Sequence, residues 1–95
     1  MITYETQSML VLSTEHVSPA TAGLLELGSD TVPVTYVKGT YGFFVVVPET
    51  AIDIPEDCPA DLCGLLALCR LTRCAWLMLD VDGPVQPDLP RFGWQ

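Results

Sequence analysis

The stretch AWLMLDVDGPVQPDLPRFGW, residues 75–94, decides how the rest of the chain is read. Trp76 to Leu79 is an apolar run of strand length, closed off by turn-forming residues. In Asp80-Val81-Asp82-Gly83-Pro84 the two carboxylates suit local backbone N–H groups, and Gly-Pro reverses the chain. Beyond it, Pro87 and Pro90 deny any helical period, so the tail is irregular. Leu89, Phe92 and Trp94 are poor residues for a loose end, and they are expected to fold back over a core.

Upstream, residues 59–72 read as a helix entering this last strand. Pro59 suits the first helical position, where a missing N–H costs nothing. Asp57 and Asp61 lie near the positive end of the helix dipole, and Arg70 and Arg73 near the negative end. Leu62, Leu65, Leu66 and Cys69 have core spacing. The opposite side carries Ala60, Cys63, Gly64, Ala67 and Leu71, small or uncharged, and is a candidate seam for a second copy or a partner.

Further back, Phe43 to Val47 is the strongest strand signal. Its continuous apolarity places it centrally, partly covered on both faces. It pairs as a hairpin with Val32–Val37 across the turn residues 38–42, and Pro33 marks that partner as an edge strand. A first helix spans 19–27, with Ser18 as N-cap, Pro19 opening it, and Gly28 as C-cap. Its buried stripe is Ala22, Leu24, Leu25 and Leu27. Met9–Leu12 supplies the first strand. The order is β-α-β-β-α-β in one domain, residues 1–95. It predicts an α+β two-layer sandwich, with two helices on one face of a ferredoxin-like antiparallel sheet.

Ninety-five residues, 49% of them apolar, suffice for one core. The N-terminus carries Glu5 and no basic region, so it does not read as a signal peptide, and no apolar run has spanning length. These features predict a cytoplasmic protein. Twelve acids against four bases give a formal charge of −8, a field that repels nucleic acid and anionic membrane and attracts basic proteins. Cys58, Cys63, Cys69 and Cys74 follow C-x4-C-x5-C-x4-C, which is not zinc-knuckle spacing, so they read as structural thiols.

Two constellations invite a catalytic reading, and neither sustains one. Asp80-x-Asp82 after an apolar strand is similar to the first motif of haloacid-dehalogenase-type phosphatases. Pro84 stands where that motif needs Thr or Val, and too little chain follows for the remaining magnesium ligands. A calcium loop counted from Asp80 would put Val85 and Arg91 where Gly and Glu are required. Ser13, Thr14, Glu15 and His16 gather the single His with a hydroxyl and a carboxylate, but helix-entry capping accounts for them. If each helix returns the chain, the first and last strands run antiparallel, and His16 lies at the opposite end of the sheet from Asp80 and Asp82. No catalytic residue, cofactor or metal is assigned.

Ser13-Thr14-x-His16-Val17-x-Pro19-x-Thr21-Ala22, Trp76-Leu77-x-Leu79-Asp80-x-Asp82-Gly83-Pro84 and Leu89-Pro90-x-Phe92-x-Trp94 together resemble a family of short proteins classed as a domain of unknown function. Its members occur on proteobacterial plasmids and other mobile elements. The resemblance implies a setting in which small acidic proteins block host defence nucleases. The sequence therefore leads to a non-enzymatic inhibitor of the anti-CRISPR or anti-restriction type, acting as a nucleic-acid mimic. Glu49, Asp53, Glu56, Asp57 and Asp61 would dock on a basic protein surface. The alternative is a regulatory subunit or homodimer joined through the small-residue side of the second helix.

Overall fold

The computed structural model describes residues 4–27, 34–49 and 56–92. Strand β1 (Met9–Ser13) leads through a 3-10 turn (Thr14–His16) into helix α1 (Pro19–Leu27). A hairpin of β2 (Tyr36–Lys38) and β3 (Gly42–Val46) precedes helix α2 (Ala60–Leu71) and strand β4 (Trp76–Asp80). The α+β class and the order of elements agree with the sequence. Pro33, Gly28, Asp53 and Trp94, to which roles were given above, lie outside the described residues.

The sheet is mixed, which corrects the antiparallel arrangement. Its order is β1-β4-β3-β2, with β1 parallel to β4 and the other two pairs antiparallel. The cause is the direction of α2. Asp61, near its start, is bonded to Ser18 and Thr21 at the start of α1, so the two helix N-termini lie side by side. Helix α2 therefore begins at the end of the sheet opposite to where β3 finishes, and runs back toward it. Strand β4 then starts beside the end of β3, as the Val47 N–H to Ala75 carbonyl bond records. The expected parity counted one return leg between β3 and β4, and there are two. Register also favours the interior for β4: Leu77 and Leu79 are fully buried, whereas Met9 on β1 is exposed, as suits an edge.

Alternation along the strands sends one face to the helices. Leu12, Phe43, Val45, Leu77 and Leu79 form a single cluster with Leu25 of α1 and with Leu62, Leu65, Leu66 and Cys69 of α2. The core face expected for α2 is the observed one. On α1 the stripe is narrower than expected, since Leu27 is 75% exposed. Ser18 caps α1, its hydroxyl accepting the Thr21 N–H at 3.1 Å. Pro59 is the residue before α2 rather than its first, so that helix lacks a side-chain cap at that position. Its far end closes with Arg73 at φ 59°, and the Cys74 N–H reaches the Cys69 carbonyl at 2.8 Å in a Schellman-type cap.

Two glycines allow close backbone approach. A Cβ on Gly42 would stand 1.7 Å from the Leu79 carbonyl oxygen, in the register where Gly42 faces Asp80. A Cβ on Gly83 would meet the Leu12 carbonyl oxygen at 2.7 Å, where the chain leaving β4 crosses the end of β1. Among the described residues no helix is long and apolar enough to cross a membrane.

Candidate functional site: the acidic end and its histidine hub

Because β1 and β4 are parallel, Ser13 lies opposite Asp80, and everything that follows the two strands meets at one end of the sheet. This overturns the separation of His16 from Asp80 and Asp82. After Gly83 the tail turns along the edge of β1, where the Pro84 carbonyl accepts the Ser13 N–H at 2.9 Å. It then wraps the 3-10 turn. His16, buried at 2% exposure, accepts the Gln86 N–H on Nε2 at 2.9 Å, and its Nδ1 lies 2.8 Å from the Pro90 carbonyl. Both contacts are met by the neutral tautomer with the proton on Nδ1, which donates to Pro90. The Phe92 N–H bonds the Glu15 carbonyl at 2.9 Å, and Leu89 packs on the core. Leu89 thus covers the core as expected, and the tail's central fastening is a histidine that sequence reasoning had placed only in helix-entry capping.

Sharing one end does not make these groups a catalytic set. Both ring nitrogens of His16 are engaged by backbone. The Ser13 hydroxyl accepts the Glu15 N–H at 3.1 Å, and Asp80 Oδ1 accepts the Asp82 N–H at 2.9 Å, the turn bond anticipated for this sequence.

The acids named as partner-binding residues do not all meet. Glu56 and Asp57 are exposed just before α2, at the His16 end. Glu49 is exposed at the other end of the sheet, lining a cleft of about 450 Å3 with Gln7, Arg70, Arg73 and Trp76. Asp61 stands between the two helices and is already committed. Its Oδ2 accepts the Ser18 N–H at 2.7 Å, and its Oδ1 accepts the Thr21 hydroxyl at 2.8 Å and the Leu62 N–H at 3.0 Å. Burial alone would raise the pKa of this carboxyl. The hydrogen bonds from Ser18, Thr21 and Leu62 outweigh it and hold the pKa below the usual carboxylate value. The structure adds acids to this end that were not in the expected set: Glu15 in the 3-10 turn, Asp80 at the end of β4, Asp82 in the turn after it, and Asp88 in the tail. Arg91 is also there.

The proposed seam on α2 is open along its length. Ala60 and Gly64 are exposed, Leu71 is 82% exposed, and Cys63 and Ala67 are half-buried. Next to it, a shallow cleft of about 190 Å3 separates Gly64 and Leu65 from Leu89, Pro90 and Phe92 of the tail.

The four cysteines are free thiols. Burial pushes Cys58 and Cys69 up to about 12 each, with neighbouring Cys63 and Cys74 adding to the respective shifts. Among the described residues, no group of three or more His, Cys, Asp or Glu is arranged to hold a metal ion.

Residues 9–94 match the family described as Family of unknown function (DUF5983) C-terminal domain. The chain belongs to this family. That match spans all the described elements of the DUF5983 domain, from the first residue of β1 to the tail that wraps His16. No curated protein and no solved structure matches the chain.

Proposed function

We propose that this domain is a non-enzymatic interaction protein that engages a basic protein surface through its acidic end. The observation that carries the reading is the gathering of acids from separate stretches of sequence. Glu15, Glu56, Asp57, Asp82 and Asp88 converge there because β1, β4 and both helix N-termini meet. Lys38, the base nearest in the hairpin, is paired with Glu26. Such a field steers a Lys/Arg-rich partner and weakens with salt. In the mobile-element setting that the resemblance implies, the partner would be a host nucleic-acid-handling defence complex, of the CRISPR or restriction type, with its nucleic-acid channel occupied by this acidic end.

The test is inhibition of a purified effector nuclease from the host, titrated at low and high salt. Binding should weaken steeply as salt rises, and a Glu56→Lys/Asp57→Lys/Asp82→Lys variant should lose it. Salt-independent binding, or full inhibition by that variant, would reject the reading.

A second reading keeps the protein as a regulatory subunit or homodimer joined through α2. It is favoured by the bare line from Ala60 through Gly64 to Leu71, where nothing stands within 4 Å of a Cβ added at Gly64. Sedimentation at high concentration would show a dimer, and Gly64→Leu would dissociate it.

A further inference from the structure

The face of the sheet turned away from the helices is apolar from edge to edge. One cross-strand row runs Val11–Met78–Phe44–Val37, and the next runs Met9–Trp76–Val46. Val37 is 59% and Met9 41% exposed at the two margins, and the residues between them are half-buried. Both described helices lie on the other side, so this face carries no described layer. An antiparallel or mixed sheet with one wet side would show polar residues at these positions, and here the alternation places apolar ones on both sides. Contiguous apolar surface of this kind marks an interaction site.

We propose that this open face docks an amphipathic helix of a protein partner, apolar on one side and flanked by lysine or arginine. Two arguments select that occupant. The first is charge. On this face the apolar rows end at Asp80, with Asp82 exposed just beyond it, and Glu5 lies exposed ahead of Gln7, whose side chain accepts the Trp76 indole N–H at 2.8 Å. Lys38 is drawn to Glu26 on α1, and Arg70 and Arg73 share the cleft at the Trp76 margin with Glu49, so among the described residues the margin free of bases is the one at Asp80 and Asp82. A second copy would bring another charge of −8 against the acidic margin at Asp80 and Asp82.

The second argument is size. Four strands of up to five residues make a face roughly 19 Å by 17 Å, or about 300 Å2 in projection. A stable dimer needs about 800 Å2 from each partner. One helix, about 10 Å across, fits on such a sheet and covers both apolar rows. The inference deepens the preceding reading, since the partner is again basic, but it centres on the sheet face and shares only the Asp80/Asp82 turn with the acidic end.

The test follows the methionine methyl groups by NMR. The chain has three methionines, and Met9 and Met78 lie on this face. The probe is a synthetic amphipathic Leu/Lys peptide of about 18 residues, long enough to span the sheet as a helix. Its Leu/Glu counterpart serves as control. The Leu/Lys peptide should shift the Met9 and Met78 signals in a saturable way, and the Leu/Glu peptide should not. Val37→Lys, at an exposed position that tolerates change, should weaken binding at least tenfold with an unchanged melting temperature, whereas Glu56→Lys/Asp57→Lys should bind normally. Absence of Met9 and Met78 shifts, equal binding of the two peptides, or undiminished binding by Val37→Lys would overturn the proposal. So would a dimer in sedimentation that Val37→Lys dissociates, because the face would then be filled by a second copy. If binding survives Val37→Lys but fails in Glu56→Lys/Asp57→Lys, the acidic end is the docking surface and the sheet face is not.

Discussion

Asp61, on the second helix, accepts the backbone N–H of Ser18 at 2.7 Å, and so ties together the starts of two helices 43 residues apart in sequence. One carboxylate serves both dipoles and takes the place of the missing side-chain cap at Pro59. Asp61→Ala should therefore cost about 1–2 kcal/mol, at the upper end for a lost cap, measurable by urea denaturation. Asp61→Asn should cost less, since the amide oxygen still accepts.

The same bonds give a pH dependence. Because the folded pKa of Asp61 lies below its ordinary value of 3.8, its contribution is fully present above that value and is lost as pH falls through the folded pKa. The melting temperature of the wild type should fall more steeply below pH 3.8 than that of Asp61→Asn. Parallel curves would contradict the bonding seen here.

His16 should behave as the fastening of the tail. His16→Ala removes the acceptor for Gln86 and the donor for Pro90, and opens a cavity beneath Leu89. The expected cost is about 2–4 kcal/mol, from two hydrogen bonds and lost packing. Hydrogen exchange at Gln86 and Phe92 should quicken well before that of the β3–β4 pair.

Two glycine-to-alanine changes should have opposite signs. Gly42→Ala forces a Cβ into the Leu79 carbonyl and should destabilise by about 3 kcal/mol or more, within the range for severe steric strain. Gly64→Ala meets open space in a helix and should stabilise by about 0.5–1 kcal/mol. Thermal unfolding of the pair reads both.

At the end of α2, Arg73 occupies a left-handed conformation that glycine adopts without strain. Arg73→Gly should raise stability by about 0.5–1 kcal/mol despite losing a charge from the helix C-terminus.

Thiol labelling should divide the cysteines. Cys58 and Cys69, buried and held up to about 12, should resist a thiol reagent at pH 8 until the protein unfolds. Cys63 and Cys74, both half-buried, should react first.

What was legible in the sequence was local. Pro19 after Ser18 gave the start of α1, the Leu62/Leu65/Leu66/Cys69 spacing gave the core face of α2, and Trp76–Leu79 gave a strand followed by an Asx-type turn. Each of these rests on contacts within a few residues, where propensity and periodicity act directly. The unbroken apolarity of Phe43 to Val47 placed β3 in the sheet interior and led to an expectation of cover on both faces, of which the described helices supply one.

The tertiary structure decided the direction of α2, and with it the partner of β1. Periodicity is unchanged when a helix is reversed, so no local pattern separates a ferredoxin-like sheet from this mixed one. The choice lies in long-range bonds: Ser18 and Thr21 to Asp61, and Val47 to Ala75. Those bonds also carry His16, Glu15, Asp80 and Asp82 to one end and leave Glu49 at the other. The residues at 75–94 fixed a strand, a turn and an apolar tail by themselves. That the tail closes on His16 followed only once β4 lay parallel to β1, because Pro84, Gln86 and Pro90 reach the 3-10 turn from that side alone.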